Sequence, residues 1–139
     1  MSASVEFFDH TADMGIRVSA ATREELVVGA IDGLYGVIGR LEGIGEPRGI
    51  SFEINGEDDA GLLRDLLTEV LFLFEHRREI VADLDVWEFD SGKLHVKGGV
   101  RAVDGARSEF QHEVKAITYH ELVVRSTVNG WEARIIVDI

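Results

Sequence analysis

Two short stretches near opposite ends of the chain hold the residues best suited to chemistry: "HTADMG" at residues 10–15 and "IIVDI" at residues 135–139. In the second, Asp138 precedes Ile139, which is expected to carry the free α-carboxylate, so two anionic oxygen groups lie one residue apart. If that strand end meets the first stretch, Asp13 adds a third. Carboxylates packed together repel one another unless a cation sits among them, and calcium or magnesium takes oxygen ligands. A plainer reading makes Asp13 a turn or capping aspartate and Asp138 a solvated strand terminus, and spacing alone leaves both open. His10, three residues before Asp13, is a ligand or general base on the first reading and a turn-capping histidine on the second.

Other polar groups present the same choice. Asp65 and Glu69 stand at i and i+4 with Arg64 and Thr68, which suits either a carboxylate pair for acid/base work or a solvated helix face. Lys115 in "HEVKAITYH" could reach a phosphate or an acidic partner, or lie along the surface with its stem over apolar neighbours. His120 is a ligand candidate or a structural histidine. The five histidines form no HxH or HxxxH pair, and there is no cysteine, so an ordinary zinc site and a thiol nucleophile find no support. Phosphate loops, nucleophile elbows and EF-hand loops are missing as well.

The elements that must position these residues follow from periodicity. Residues 3–9 and 15–20 read as short strands. Thr22 followed by Glu25 is a capping box, and Val27, Ala30, Ile31, Leu34 and Ile38 recur at helical spacing, predicting a helix over 23–38. "GISFEING" alternates as a strand. "DDAGLLRDLLTEVLFLFEHRRE" places acids at its start, arginines at its end and a broad apolar stripe from Leu62 to Phe74 between them. From Ile80 the period changes to two, through "EIVADLDVWEFD", "KLHVKGGVRAVD", "ELVVRSTV" and "WEARIIVDI", with Asn129-Gly130 expected as a type I' hairpin turn. "GRLEGIGEPRG" reads as a mobile turn. The expected fold is α+β, two helices packed on an antiparallel or mixed sheet, in one domain spanning 1–139, with a duplicated strand-helix-strand unit left open. In the last strand Glu132, Arg134, Ile136 and Asp138 share the face opposite Trp131, Ala133, Ile135, Val137 and Ile139.

A formal net charge of −12 disfavours direct nucleic-acid binding, because phosphate contacts need a basic face. No signal peptide or long apolar run is visible, so a cytoplasmic protein without a membrane association is expected.

"HTADMG", "LLRDLLTEVLFLFE", "EVKAITYHEL" and the closing "WEARIIVDI", in this order and over nearly the whole chain, resemble archease, the small protein that accompanies the RNA-splicing ligase of the histidine-guanylylating type. Met14 stands where a branched aliphatic is commoner, and "EVLFLF" where a tryptophan or asparagine is frequent. The resemblance implies an accessory protein, not an enzyme. It would bind a divalent cation, calcium first and magnesium or manganese otherwise, through Asp13, Asp138 and the terminal carboxylate of Ile139. Its partner would be the ligase, whose guanylylation and repeated turnover it promotes in tRNA splicing and RNA repair, with tRNA met only through the ligase. His10, Asp65, Lys115 and His120 are carried as accessory or partner-binding candidates. Two other readings stand beside it: a divalent-metal-dependent hydrolase using Asp13 and Asp138 with His10 as base, and a metal-free chaperone-like scaffold.

Overall fold

The computed structural model describes residues 3–10, 13–90 and 92–139, with the side chains of Asp9 and His10 outside the description. In chain order the elements are β1 (Ser4–His10), β2 (Asp13–Ala20), α1 (Arg23–Ile38), β3 (Gly39–Arg40), β4 (Gly43–Asn55), α2 (Asp59–Arg77), β5 (Glu79–Asp90), β6 (Lys93–Val103), β7 (Glu109–Phe110), β8 (Ala116–Ile117), β9 (Val123–Thr127) and β10 (Gly130–Asp138). All pairings are antiparallel. A five-stranded sheet runs β1-β2-β10, with β9 and β8 sharing the far edge of β10; β4-β6-β5 form a second sheet and β3-β7 a short ribbon. The fold is α+β, as periodicity predicts. The two strand-helix-strand stretches are not topological copies: β2 and β3 flank α1 in different sheets, whereas β4 and β5 flank α2 on either side of β6.

Both helices begin where their caps dictate. Glu25 N–H donates to Thr22 Oγ1 at 3.1 Å, and Gly61 N–H donates to Asp58 Oδ1 at 2.7 Å, so each side chain satisfies an orphan amide of a first turn. Helix α2 stops at Arg78, whose left-handed backbone (φ 51°) turns its N–H back to Leu73 and Phe74 carbonyls. Leu62, Leu63, Leu66, Leu67, Val70, Leu71 and Phe74, the stripe read from spacing, are all buried.

Against α1 the five-stranded sheet lays Ile16, Val18, Ala133, Ile135 and Val137, none of them exposed. Close approach on this side depends on small residues of α1. A Cβ on Gly33 would come within 2.7 Å of Ile16 Cγ2, and one on Gly36 within 2.9 Å of the Phe7 ring. Glycine there lets β1 seat its inward side chains on the helix, and this fixes the strand that leads to residue 13. The Tyr35 hydroxyl accepts from Val81 N–H at 2.8 Å and ties α1 to β5.

Three expectations are corrected. Residues 43–49, expected as a mobile turn, are the first half of β4, with a register shift between Ile44 and Arg48; Pro47 is tolerated because β4 is an edge strand. The last hairpin turns through Val128 and Asn129, since Gly130 already pairs with Thr127, and neither turn residue has the positive φ that a type I' turn requires. Finally, β3, which falls in the first residues of the expected mobile turn, and β7 and β8 are not foreseen: strands of two residues have no measurable alternation. Among the described residues no helix is long and apolar enough to cross a membrane.

Candidate functional site

Among the described residues no polar or charged residue is buried, so the chemistry lies on surfaces. The register of the five-stranded sheet organises its outward face, the one turned away from α1, into rows. Asp13 pairs directly with Asp138, and Asp138 with Ala116 of β8. One step along, Phe8, Gly15 and Ile136 form the next row, and beyond it stand Glu6, Arg17 and Arg134. Successive outward rows lie about 7 Å apart, two residues of strand rise.

The two aspartates that sequence spacing could not join are therefore neighbours. Directly opposed residues of an antiparallel pair hold their Cβ atoms about 4.5–5.5 Å apart and on one face, a separation a single cation can bridge through carboxylate oxygens. Both residues are half-buried. Ile139 follows Asp138 and packs its side chain against the core, holding the end of β10 in place. Lys115 joins the site through its backbone, its N–H donating to the Asp138 carbonyl at 2.7 Å, while the residue itself is exposed. His10 pairs with Asp13 in the backbone register, but its side chain falls outside the described residues.

Asp65 lies on α2, not in the carboxylate row of the sheet. It is 3.3 Å from Arg64, whose Nε donates to the Ile117 carbonyl at 3.1 Å and whose guanidinium covers Tyr119 at 4.3 Å. Asp65 thus serves the arginine that straps β8 to the helix. His120 sits in the loop after β8, its N–H donating to Thr118 Oγ1 at 3.2 Å and its Nε2 3.0 Å from Glu121. Among the described residues no three His, Cys, Asp or Glu side chains form a group able to hold a metal ion. A cation between Asp13 and Asp138 would need further oxygens, from backbone, water or a carboxylate expected at Ile139.

Sequence spacing did not single out Phe8, Arg17 and Arg134. The one available signal was the alternation of β10, which already put Arg134 on the face of Asp138; that Arg17 opposes it is a property of the register.

Residues 5–139 match the family described as "Archease protein family (MTH1598/TM1083)". The archease of Methanopyrus kandleri is 34% identical over 137 residues, covering 96% of this chain and 98% of that protein. The archease of Pyrococcus furiosus is 34% identical over 138 residues, covering 96% and 97%. Among solved structures, the solution structure of protein 1598 of Methanobacterium thermoautotrophicum aligns with a TM-score of 0.73 at 26% identity, over 97% of this chain and 98% of that one. The crystal structure of an archease from Thermotoga maritima, there called a possible chaperone, shares the fold with a TM-score of 0.68 at 20% identity, over 95% of this chain and 94% of that one. Matched along nearly its whole length by the family and by relatives of about its own size, the chain belongs to the archease family.

Proposed function

We propose that this chain is a non-catalytic accessory protein of an RNA-splicing ligase, binding a divalent cation at Asp13, Asp138 and the Ile139 carboxylate and promoting guanylylation and repeated turnover of the ligase. The observation that carries the reading is the direct cross-strand pairing of Asp13 with Asp138 in a chain of the archease family. The expected donors suit the group: hard carboxylate oxygens in a chain without cysteine favour calcium, with magnesium or manganese as alternatives. A bound cation would offset the charge of the opposed carboxylates and hold the two strand ends together.

The chain's own residues do the positioning. Register holds the two aspartates on one face, Ile139 is anchored by its side chain, and the Lys115 amide fixes the Asp138 backbone. A net charge of −12 supports the protein ligase, and not tRNA, as the direct partner. Preferential binding to a guanylylation-competent ligase conformation would raise its population, which is how a partner without catalytic groups accelerates a reaction.

The test mixes the chain with the ligase, GTP and manganese and follows ligase guanylylation. Acceleration that is lost in Asp13→Ala and Asp138→Ala supports the reading; the same rate with and without the chain removes it. Turnover of nucleotides or phosphodiesters by the chain alone, lost in Asp13→Ala, would replace it with the hydrolase.

A further inference from the structure

In a chain of formal net charge −12, one cleft on the outward sheet face is lined by three arginines and a single carboxylate. Arg17, Arg125, Arg134, Glu132 and Val123 enclose about 360 Å³. Arg17 and Arg134 are direct cross-strand partners, an arrangement that works against stability for like charges. Phe8 holds them in place. Its ring lies across Gly15, where any Cβ would overlap it, and the Arg17 and Arg134 guanidinium carbons sit 5.2 and 4.8 Å from its centre.

The carboxylates around the cleft leave these two arginines with donors to spare. Arg125 commits Nε and Nη2 to Glu132 at 3.0 and 2.7 Å. Arg17 meets Glu6 at 3.5 Å, and Arg134 meets Glu121 at 3.1 Å through Nη2. Among the described residues, Arg134 Nε is buried without a hydrogen-bond partner. Leaving a charged donor dry and unmet is costly, and the cost is relieved when an acceptor arrives. Two planar forks on adjacent strands suit a compact anion with several oxygens better than a carboxylate, which occupies one fork. The overall negative field works against a long polyanion here but less against a ligand of a few charges.

We propose that the Arg17, Arg125 and Arg134 cleft binds a phosphoryl group, supplied by free phosphate or by the phosphates of a nucleotide. The cleft stands about 13 Å along the strands from the Asp13–Asp138 row, four residues of rise, and works without a cation there.

The test is run in chelator at low ionic strength, so that it is independent of the cation site. The Nε–Hε resonance of Arg134 is followed in ¹H–¹⁵N spectra while inorganic phosphate, a nucleoside triphosphate or acetate is added. Expected is a saturable shift with phosphate at roughly millimolar concentration. Arg17→Gln weakens phosphate binding about tenfold or more, the loss of one charge-assisted contact. Glu6→Gln tightens it, because the competing carboxylate is gone. A nucleotide that binds at least ~10-fold tighter than phosphate identifies the nucleotide as the source, and equal affinities identify free phosphate. No shift with either, an equal shift with acetate, or unchanged affinity in both Arg17→Gln and Glu6→Gln overturns the proposal. Glu6→Gln removes no cation and no buried group, so its outcome does not depend on a variant that fails to fold.

Discussion

Replacing Asp138 by Asn should change the sign of its effect on stability with the presence of calcium. Asp13 and Asp138 are opposed across β2 and β10, and like charges in that position destabilise a sheet by about 0.2–1 kcal/mol. Coulomb's law agrees: unit charges about 6 Å apart at an effective dielectric between 40 and 80 repel by about 0.7–1.4 kcal/mol. In chelator Asp138→Asn should therefore be the more stable protein by up to about 1 kcal/mol, a rise of about 3 °C in Tm for a chain of this size. If calcium binds as proposed, a hundredfold excess over its Kd should stabilise the wild-type chain by about 2.7 kcal/mol, roughly 8 °C. The variant, short of one of the proposed anionic ligands, should gain well under half of that. The two melting temperatures thus exchange order when calcium replaces chelator, which a thermal scan reads directly. A short C-terminal tag should reduce the calcium response without the gain in chelator, because it removes the Ile139 carboxylate and leaves the aspartate pair. Identical ordering in both conditions, or a wild-type Tm indifferent to calcium, would refute the cation between these strands.

Tyr35 carries a pH signature. Burial pushes its phenol up to about 12 from 10.0, against the lowering effect of the Val81 N–H and with a further push from Asp32. The folded chain then holds this proton where the unfolded chain has released it, so stability is intact below pH 10 and falls by about 3 kcal/mol as pH rises through 12. Tyr35→Phe should flatten that alkaline loss in denaturant titrations and cost about 1–3 kcal/mol at neutral pH, because the Val81 N–H loses its acceptor. Gly29→Ala should destabilise by about 1 kcal/mol in the same measurement: its new methyl overlaps Ala3 and comes within 2.6 Å of Val18 Cγ1, which outweighs the helix-propensity gain of about 1 kcal/mol.

The helices were legible in the sequence because their signals are local. Thr22 and Glu25 sit three residues apart and meet within one turn, and the Leu62 to Phe74 stripe returns every 3.6 residues whatever it packs against. The alternation of β10 likewise sorted Arg134 and Asp138 from Ile135 and Val137. The start of β4 was not legible, since glycines and Pro47 read as a turn unless one knows that the strand lies at an edge and is bulged. Nor was the final turn: Asn129-Gly130 has the composition of a type I' loop, but the pairing of Gly130 with Thr127 moves the loop one residue back.

From the residues alone came the two helices, their buried faces, the α+β class and the pair of aspartates worth watching. Whether those aspartates meet was settled by the register of β2 against β10, strands separated by most of the chain, and the same register set Arg17 opposite Arg134. Helical contacts are fixed by separations of three and four residues, so a short window contains them. Pairing of distant strands is chosen by the core that both strands help to build, here Ile16, Val18, Ala133, Ile135 and Val137 beneath α1, and a one-residue slip of β10 against β2 would turn Ala133, Ile135 and Val137 away from that core.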